Sequence, residues 1–178
     1  MLPALLILLM GAPVALADEP ASSQWVKVAP EGGGFQVMFP GRPKESSRPP
    51  DVKDPALATQ LLTWEASKNH LYIVSYVDLA QPVPKEKEAK ALESVRDGRE
   101  KNLKGNVVKD GIVIRGKLTG RQFTIKIAAS MYYRSVIFLK NSRVFQAYVL
   151  GSEKEITGKD AERFLNSFEV VADDASKK

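Results

Sequence analysis

The chain has 178 residues, 44% hydrophobic and 26% charged, with a formal net charge of +5 and no cysteine. That is length enough for one domain with a real core, while the missing cysteine excludes disulfides, thiolate metal sites and lipid attachment through an N-terminal cysteine. His70 is the only histidine, so a transition-metal site would rest mostly on carboxylates, and no cofactor is expected.

Leu2 to Ala17 is apolar, carries no charged side chain and ends in Ala15-Leu16-Ala17, an A-x-A pattern followed by Asp18 and Glu19. This predicts a signal peptide over 1–17, cleaved between Ala17 and Asp18, and hence an exported protein, periplasmic or extracellular. A retained anchor is the alternative, although the run falls short of the about 20 residues that a membrane span needs. No later run is long enough to span. A polar leader over 18–24, a single domain over 25–172 and a disordered tail over 173–178 complete the expected layout.

Trp25 to Ala29 alternates as a first strand, Pro30 to Gly34 reads as a turn, and Phe35 to Phe39 alternates again with Phe35, Val37 and Phe39 on one face. The three glycines lie between two strand patterns rather than before a helix N-terminus, so they are turn residues and not a phosphate cradle. Pro40 to Pro55, rich in proline, predicts a long surface loop. Ala58 to Glu65 and Leu71 to Val77 are the next strands, joined by a hairpin turn at Ser67–His70. From Lys85 to Leu103 an amphipathic helix aligns Leu92, Val95 and Leu103 in one stripe, closed by Gly105. Glu86, Glu88 and Glu93 are matched by Lys85, Lys87 and Lys90, an ordinary charged face. Arg99 falls inside the apolar stripe; either its stem packs on the sheet with the guanidinium reaching the edge, or it forms a fixed ion pair with an acid of another element.

Four strands follow over Val107–Arg115, Gln122–Ala128, Met131–Leu139 and Val144–Leu150. In the second, Phe123, Ile125 and Ile127 face inward while Gln122, Thr124 and Lys126 face out. Val136 to Leu139 is apolar on both sides, as suits a central strand covered on both faces. Thr157-Gly158-Lys159-Asp160 reads as a capping box opening a helix that buries Ala161, Phe164 and Leu165. Phe168 to Val171 adds a short last strand.

The motifs Gly33-Gly34-Phe35-x-Val37-x-Phe39-Pro40-x-x-Pro43, Arg96-Asp97-Gly98, Gly116-x-x-x-Gly120-Arg121 and Arg163-Phe164-Leu165-x-Ser167-Phe168 resemble small exported bacterial proteins of the PsbP-like fold class. That class is also similar to the extrinsic photosystem II subunit and to a nuclear-import factor that binds the Ran GTPase. The resemblance implies an α+β fold: an antiparallel sheet of about six to eight strands flanked by two main helices, a PsbP-like α/β/α sandwich. It implies no catalytic activity and transfers no functional residue. Thr119-Gly120-Arg121-Gln122 stands where relatives often read Pro-Gly-Arg-Glu, which removes that carboxylate.

Gly111 to Lys117 matches G-x-x-x-x-G-K, but Leu118 replaces the hydroxyl that would ligate magnesium, and Ile-Val-Ile is strand-forming. Asp51/Asp54 and Asp173/Asp174 read as solvated charge. Between Asp110 and Glu153 there is no acidic residue but seven basic ones, Arg115, Lys117, Arg121, Lys126, Arg134, Lys140 and Arg143, so this block carries +7 and the rest −2. The block either protects strand edges and aids solubility or forms a surface for an anionic partner. The expected function is therefore a monomeric, non-catalytic binding or accessory module. Its partner would be an anionic envelope component (lipid headgroups or an acidic wall polymer) or an acidic protein. Nucleic acid is not expected, since no aromatic-basic interleaving of the stacking kind appears. The alternative is a hydrolase with dispersed catalytic residues including His70, which requires an orienting acid and a nucleophile brought to it by the fold.

Overall fold

The computed structural model describes residues 24–48 and 59–171; the signal peptide with Ala17 and Asp18, the tail and the second half of the proline-rich segment lie outside them. Among the described residues run ten strands and three α-helices, the first preceded by a 3-10 turn at Lys85–Lys87: β1 Val26–Val28, β2 Phe35–Phe39, β3 Lys44–Arg48, β4 Thr59–Ser67, β5 His70–Asp78, α1 Glu88–Leu103, β6 Asn106–Arg115, β7 Leu118–Lys126, β8 Tyr132–Lys140, β9 Arg143–Gly151, α2 Glu153–Thr157, α3 Lys159–Ser167 and β10 Glu169–Val170. Seven strands form one sheet in the order β3-β4-β5-β9-β8-β7-β6, and β1-β2-β10 form a second. Every pair is antiparallel. No described helix is long and apolar enough to cross a membrane.

The period of two along β8 and β9 sorts side chains into two cores. On one face of the large sheet, Val136, Phe138, Phe145, Ala147 and Val149 pack against Phe35, Val37 and Phe39 of β2 and Ala161, Phe164 and Leu165 of α3. On the other, Ile137, Leu139 and Val144 meet Phe123 and Ile125 under Leu92 of α1, with Val95 and Leu103 partly buried beside it. The stripe predicted for α1 and the two-sided central strand are thus both present. The glycine-rich stretch is a turn between β1 and β2, with Gly32 and Gly34 at φ 69° and 73°, where only glycine sits without strain. Gly111 to Lys117 runs along β6 into the β6–β7 turn, so no phosphate loop forms.

Four local expectations need correction. β3 occupies Lys44–Arg48 inside the predicted loop: its polar sequence KESSR carries no strand pattern, and its pairing with β4 makes it a strand. Thr124, expected outward, is buried, whereas Gln122 and Lys126 on the same face of β7 are exposed as expected. The capping box opens α2, not α3: Ser152 and Glu155 exchange bonds with each other's backbone amides, whereas α3 starts at Gly158 without a side-chain cap. The residue that turns left-handed after α1 is Lys104 at φ 50°, one before the glycine.

Arg99 follows neither expectation in full. Its Nη2 donates to Gln146 Oε1 at 3.0 Å, and its guanidinium carbon lies 5.7 Å and 5.9 Å from the ring centroids of Tyr133 and Tyr148. The amide is buried, and its Nε2 donates onward to Tyr133 Oη at 2.6 Å and Ser135 Oγ at 3.1 Å. The arginine therefore caps a buried polar chain instead of pairing with an acid. Arg99→Ala is expected to cost about 1–3 kcal/mol because it strands the Gln146 carbonyl. Urea titration reads this directly, and a change below about 0.5 kcal/mol would mark Arg99 as an ordinary surface residue.

Candidate functional site

The sheet divides the seven basic residues of the acid-free block. Arg121 Nε and Nη2 donate to Asp110 at 2.8 Å and 2.6 Å, and its Nη1 reaches Glu93 on α1 at 3.1 Å. Asp110 also accepts from Arg96. The Arg121 and Arg96 hydrogen bonds hold its carboxyl below the usual carboxylate range. Arg134 pairs with Glu162 of α3 at 2.6 Å. Arg143 grips Asp78 with Nε at 2.5 Å and Nη2 at 2.8 Å, which lowers the Asp78 carboxyl too. Arg143 also donates to Gly32 O at 2.6 Å, so it ties the glycine turn to the large sheet. Lys126 lies over the Tyr132 ring at 5.8 Å. Three of the seven charges are thus neutralised by carboxylates from outside the block.

The other three converge. Arg115 at the end of β6, Lys117 in the β6–β7 turn and Lys140 at the end of β8 line one cavity of about 630 Å³. Its apolar wall is Leu118, Phe138, Phe168, Val170 and Val171. The cavity exists because β10 leaves α3 to pair with β2, passing across the ends of β6 and β8. Arg115 donates to Phe168 O and stands 5.6 Å from the Phe138 centroid, while Lys140 Nζ donates to Val171 O at 2.9 Å. Two cations therefore hold the β10 wall in place. Burial lowers the Arg115 pKa, yet a guanidinium stays charged at any ordinary pH. Lys117 is exposed and has no partner among the described residues. The one acid on the wall is Glu169, whose Oε2 accepts from Gln36 at 2.5 Å. The site is thus a net-positive, apolar-walled concavity. Its three cations are among the seven that the sequence singles out without separating them, and its wall residues look there like ordinary strand positions.

His70 does not line this cavity. Its Nδ1 lies 3.6 Å from Glu155 Oε1, and its buried Nε2 has no hydrogen-bond partner among the described residues. Glu155 Oε2 accepts from Ser152 Oγ at 2.7 Å, and the Ser152 bonds hold its carboxyl below the usual range. The carboxylate stands between hydroxyl and imidazole, whereas a hydrolytic triad needs the imidazole in the middle. Among the described residues no group of three or more His, Cys, Asp or Glu is placed to hold a metal ion.

The fold has a counterpart among solved structures. The solution structure of cyanobacterial PsbP (CyanoP) from Synechocystis sp. PCC 6803 superposes with a TM-score of 0.59 at 6% identity, covering 90% of this chain and 98% of that one. A crystal structure of a protein from Bacteroides thetaiotaomicron VPI-5482 matches at a TM-score of 0.48 and 12% identity, over 83% of this chain and 48% of that one. No family model and no curated protein sequence matches the chain. The fold is PsbP-like, as the sequence motifs implied.

Proposed function

From a PsbP-like fold bearing this cavity, we propose that the chain is an exported, non-catalytic binding module whose ligand is an anionic amphiphile of the cell envelope, the charged head of a lipid with the adjoining stretch of its chain. The observation that carries this reading is the convergence of Arg115, Lys117 and Lys140 on one apolar-walled cavity. A broad basic face would suit a flat anionic surface; a concavity of about 630 Å³, inside the range of small-molecule sites, suits a discrete group. Arg115, partly buried in this setting, is screened less than a fully exposed charge would be. The hydrolase alternative loses support from the order of Ser152, Glu155 and His70.

Titration with decanoate and with a decyl-trimethylammonium salt, followed by calorimetry at two ionic strengths, tests the proposal. Decanoate is expected to bind, to weaken as salt shortens the Debye length from about 10 Å to about 3 Å, and to lose about tenfold in affinity in Lys117→Glu. That exposed residue holds no other contact, so the variant retains its fold. Equal affinity for the cationic amphiphile, or no effect of Lys117→Glu, would remove the anion site.

A further inference from the structure

Three large apolar side chains stand exposed among the described residues, and all three are on β6: Val108 at 55%, Ile112 at 68% and Ile114 at 70%. β6 is also an edge. Only β7 pairs with it, and no described strand lies on its outer side. The opposite edge, β3, is five residues long and reads KESSR, the short polar form by which proteins ordinarily blunt an edge. β6 is ten residues long. Its register with β7 shifts between Val107 and Lys109 and then runs unbroken from Lys109 to Arg115. Ile112, Val113 and Ile114 in that stretch are β-branched, and alternate amides and carbonyls along it point away from β7. A long edge whose bulge is confined to Val107–Lys109 is a template for one more strand.

The charges say which strand. Lys109 and Lys117 flank the two isoleucines, both exposed and both without a partner among the described residues. Asp110, the only acid on β6, is already held by Arg96 and Arg121. Along the edge the two isoleucines, on one sheet face, lie between two cations, with Lys109 projecting from the opposite face. We infer that the outer edge of β6 receives an extended segment of an acidic partner protein, with β-branched or apolar residues at alternate positions and carboxylates at both ends, by strand addition. A second copy of the chain fits poorly. The antiparallel register that sets Ile112 against Ile114 of the second copy also sets Lys109 against Lys117 at both ends, and like charges directly opposite destabilise a strand pair. The inference shares Lys117 with the cavity, but Lys109, Ile112 and Ile114 are not among its walls.

The test uses the full chain and a fluorescent peptide matched to the ten residues of β6: Asp-Glu, three Val-Thr pairs, Asp-Glu. One control peptide carries lysines in place of the four acids, and another carries a central proline. The acidic peptide is expected to bind at least about tenfold more tightly than either control and to slow hydrogen exchange at alternate β6 amides. Changing Ile112→Lys together with Ile114→Lys, at positions exposed enough to leave the melting curve unchanged, is expected to weaken binding by about tenfold or more. Equal binding of acidic and basic peptides, unaltered exchange along β6, or undiminished binding by the double variant would overturn the inference. So would a concentration-dependent dimer in sedimentation that the double variant abolishes, since a second copy would then own the edge. Decanoate binding is read separately, so failure here leaves the cavity untouched.

Discussion

Phe164→Ala is expected to lower the stability of the domain by about 4 kcal/mol, the middle of the range for a buried phenylalanine. Phe164 is fully buried. Its ring lies 5.0 Å from that of Phe39 on β2 and meets the Tyr72 ring of β5 edge-on at 5.2 Å. The side chain therefore joins three layers: helix, small sheet and large sheet. Truncation leaves a hole walled by strands, which cannot close in on it as a loop can. α3 itself has nine residues, too few to persist as a helix without its buried face. A thermal melt should fall by about 10–15 °C at this chain length, while Phe164→Leu, which keeps most of the volume, should cost about 1.5 kcal/mol. A loss below about 1 kcal/mol for the alanine variant would mean that α3 is not what closes this core.

Gly120→Val should be at least as damaging, through crowding rather than loss. Gly120 sits in β7 opposite Phe138 of β8, and a Cβ there would lie 2.4 Å from Ile137 O and 2.5 Å from Phe138 Cδ1. The first of these is backbone of a central strand, and the second belongs to a ring that is itself buried against Phe168. Neither can yield without moving β8. Overpacking of a core costs about 1–3 kcal/mol when side chains can adjust, so about 3 kcal/mol is expected for Gly120→Ala and more for valine. Gly98 supplies the opposite sign. It is exposed on α1 with nothing within 4 Å of an added Cβ, and Gly98→Ala should stabilise by about 0.5–1 kcal/mol. Urea unfolding of the two alanine variants separates the cases. A Gly120→Ala protein as stable as the parent would refute the close approach of β7 and β8.

The residues explain why parts of this architecture were legible in the sequence and others were not. Phe35, Val37 and Phe39 of β2, or Phe123 and Ile125 of β7, announce their strands because burial on one face forces a period of two. The stripe of α1 and the double-sided Val136–Leu139 are read by the same logic. β3 escapes it because an exposed edge strand owes its form to hydrogen bonds with β4, which leave no mark on side-chain identity. The misplaced capping box has a different origin: Ser152-Glu153-Lys154-Glu155 carries the full pattern in the sequence, whereas Thr157-Gly158-Lys159-Asp160 ends in Asp, too short to reach back as Glu155 does. The candidate site shows the limit most clearly. The acid-free window predicts a positive surface, but Glu93, Asp110, Asp78 and Glu162 all lie outside that window. Topology brings them back against Arg121, Arg143 and Arg134. A charge count along the chain cannot foresee neutralisation across a sheet.

The sorting of β8 and β9 into two cores makes those strands a shared wall. Val136 and Phe138 belong to one core, while Ile137 and Leu139, their immediate neighbours, belong to the other. A fluctuation that frees this backbone must empty both sides at once, so neither layer can melt while the other persists. The same wall joins distant stretches of chain, since β9 pairs with β5 on one side and β8 on the other. The described residues are thereby expected to unfold as one cooperative unit, in which the periphery, β3 and the outer edge of β6 above all, opens on its own. The surfaces left free to rearrange around a partner are the ones whose opening leaves both cores intact.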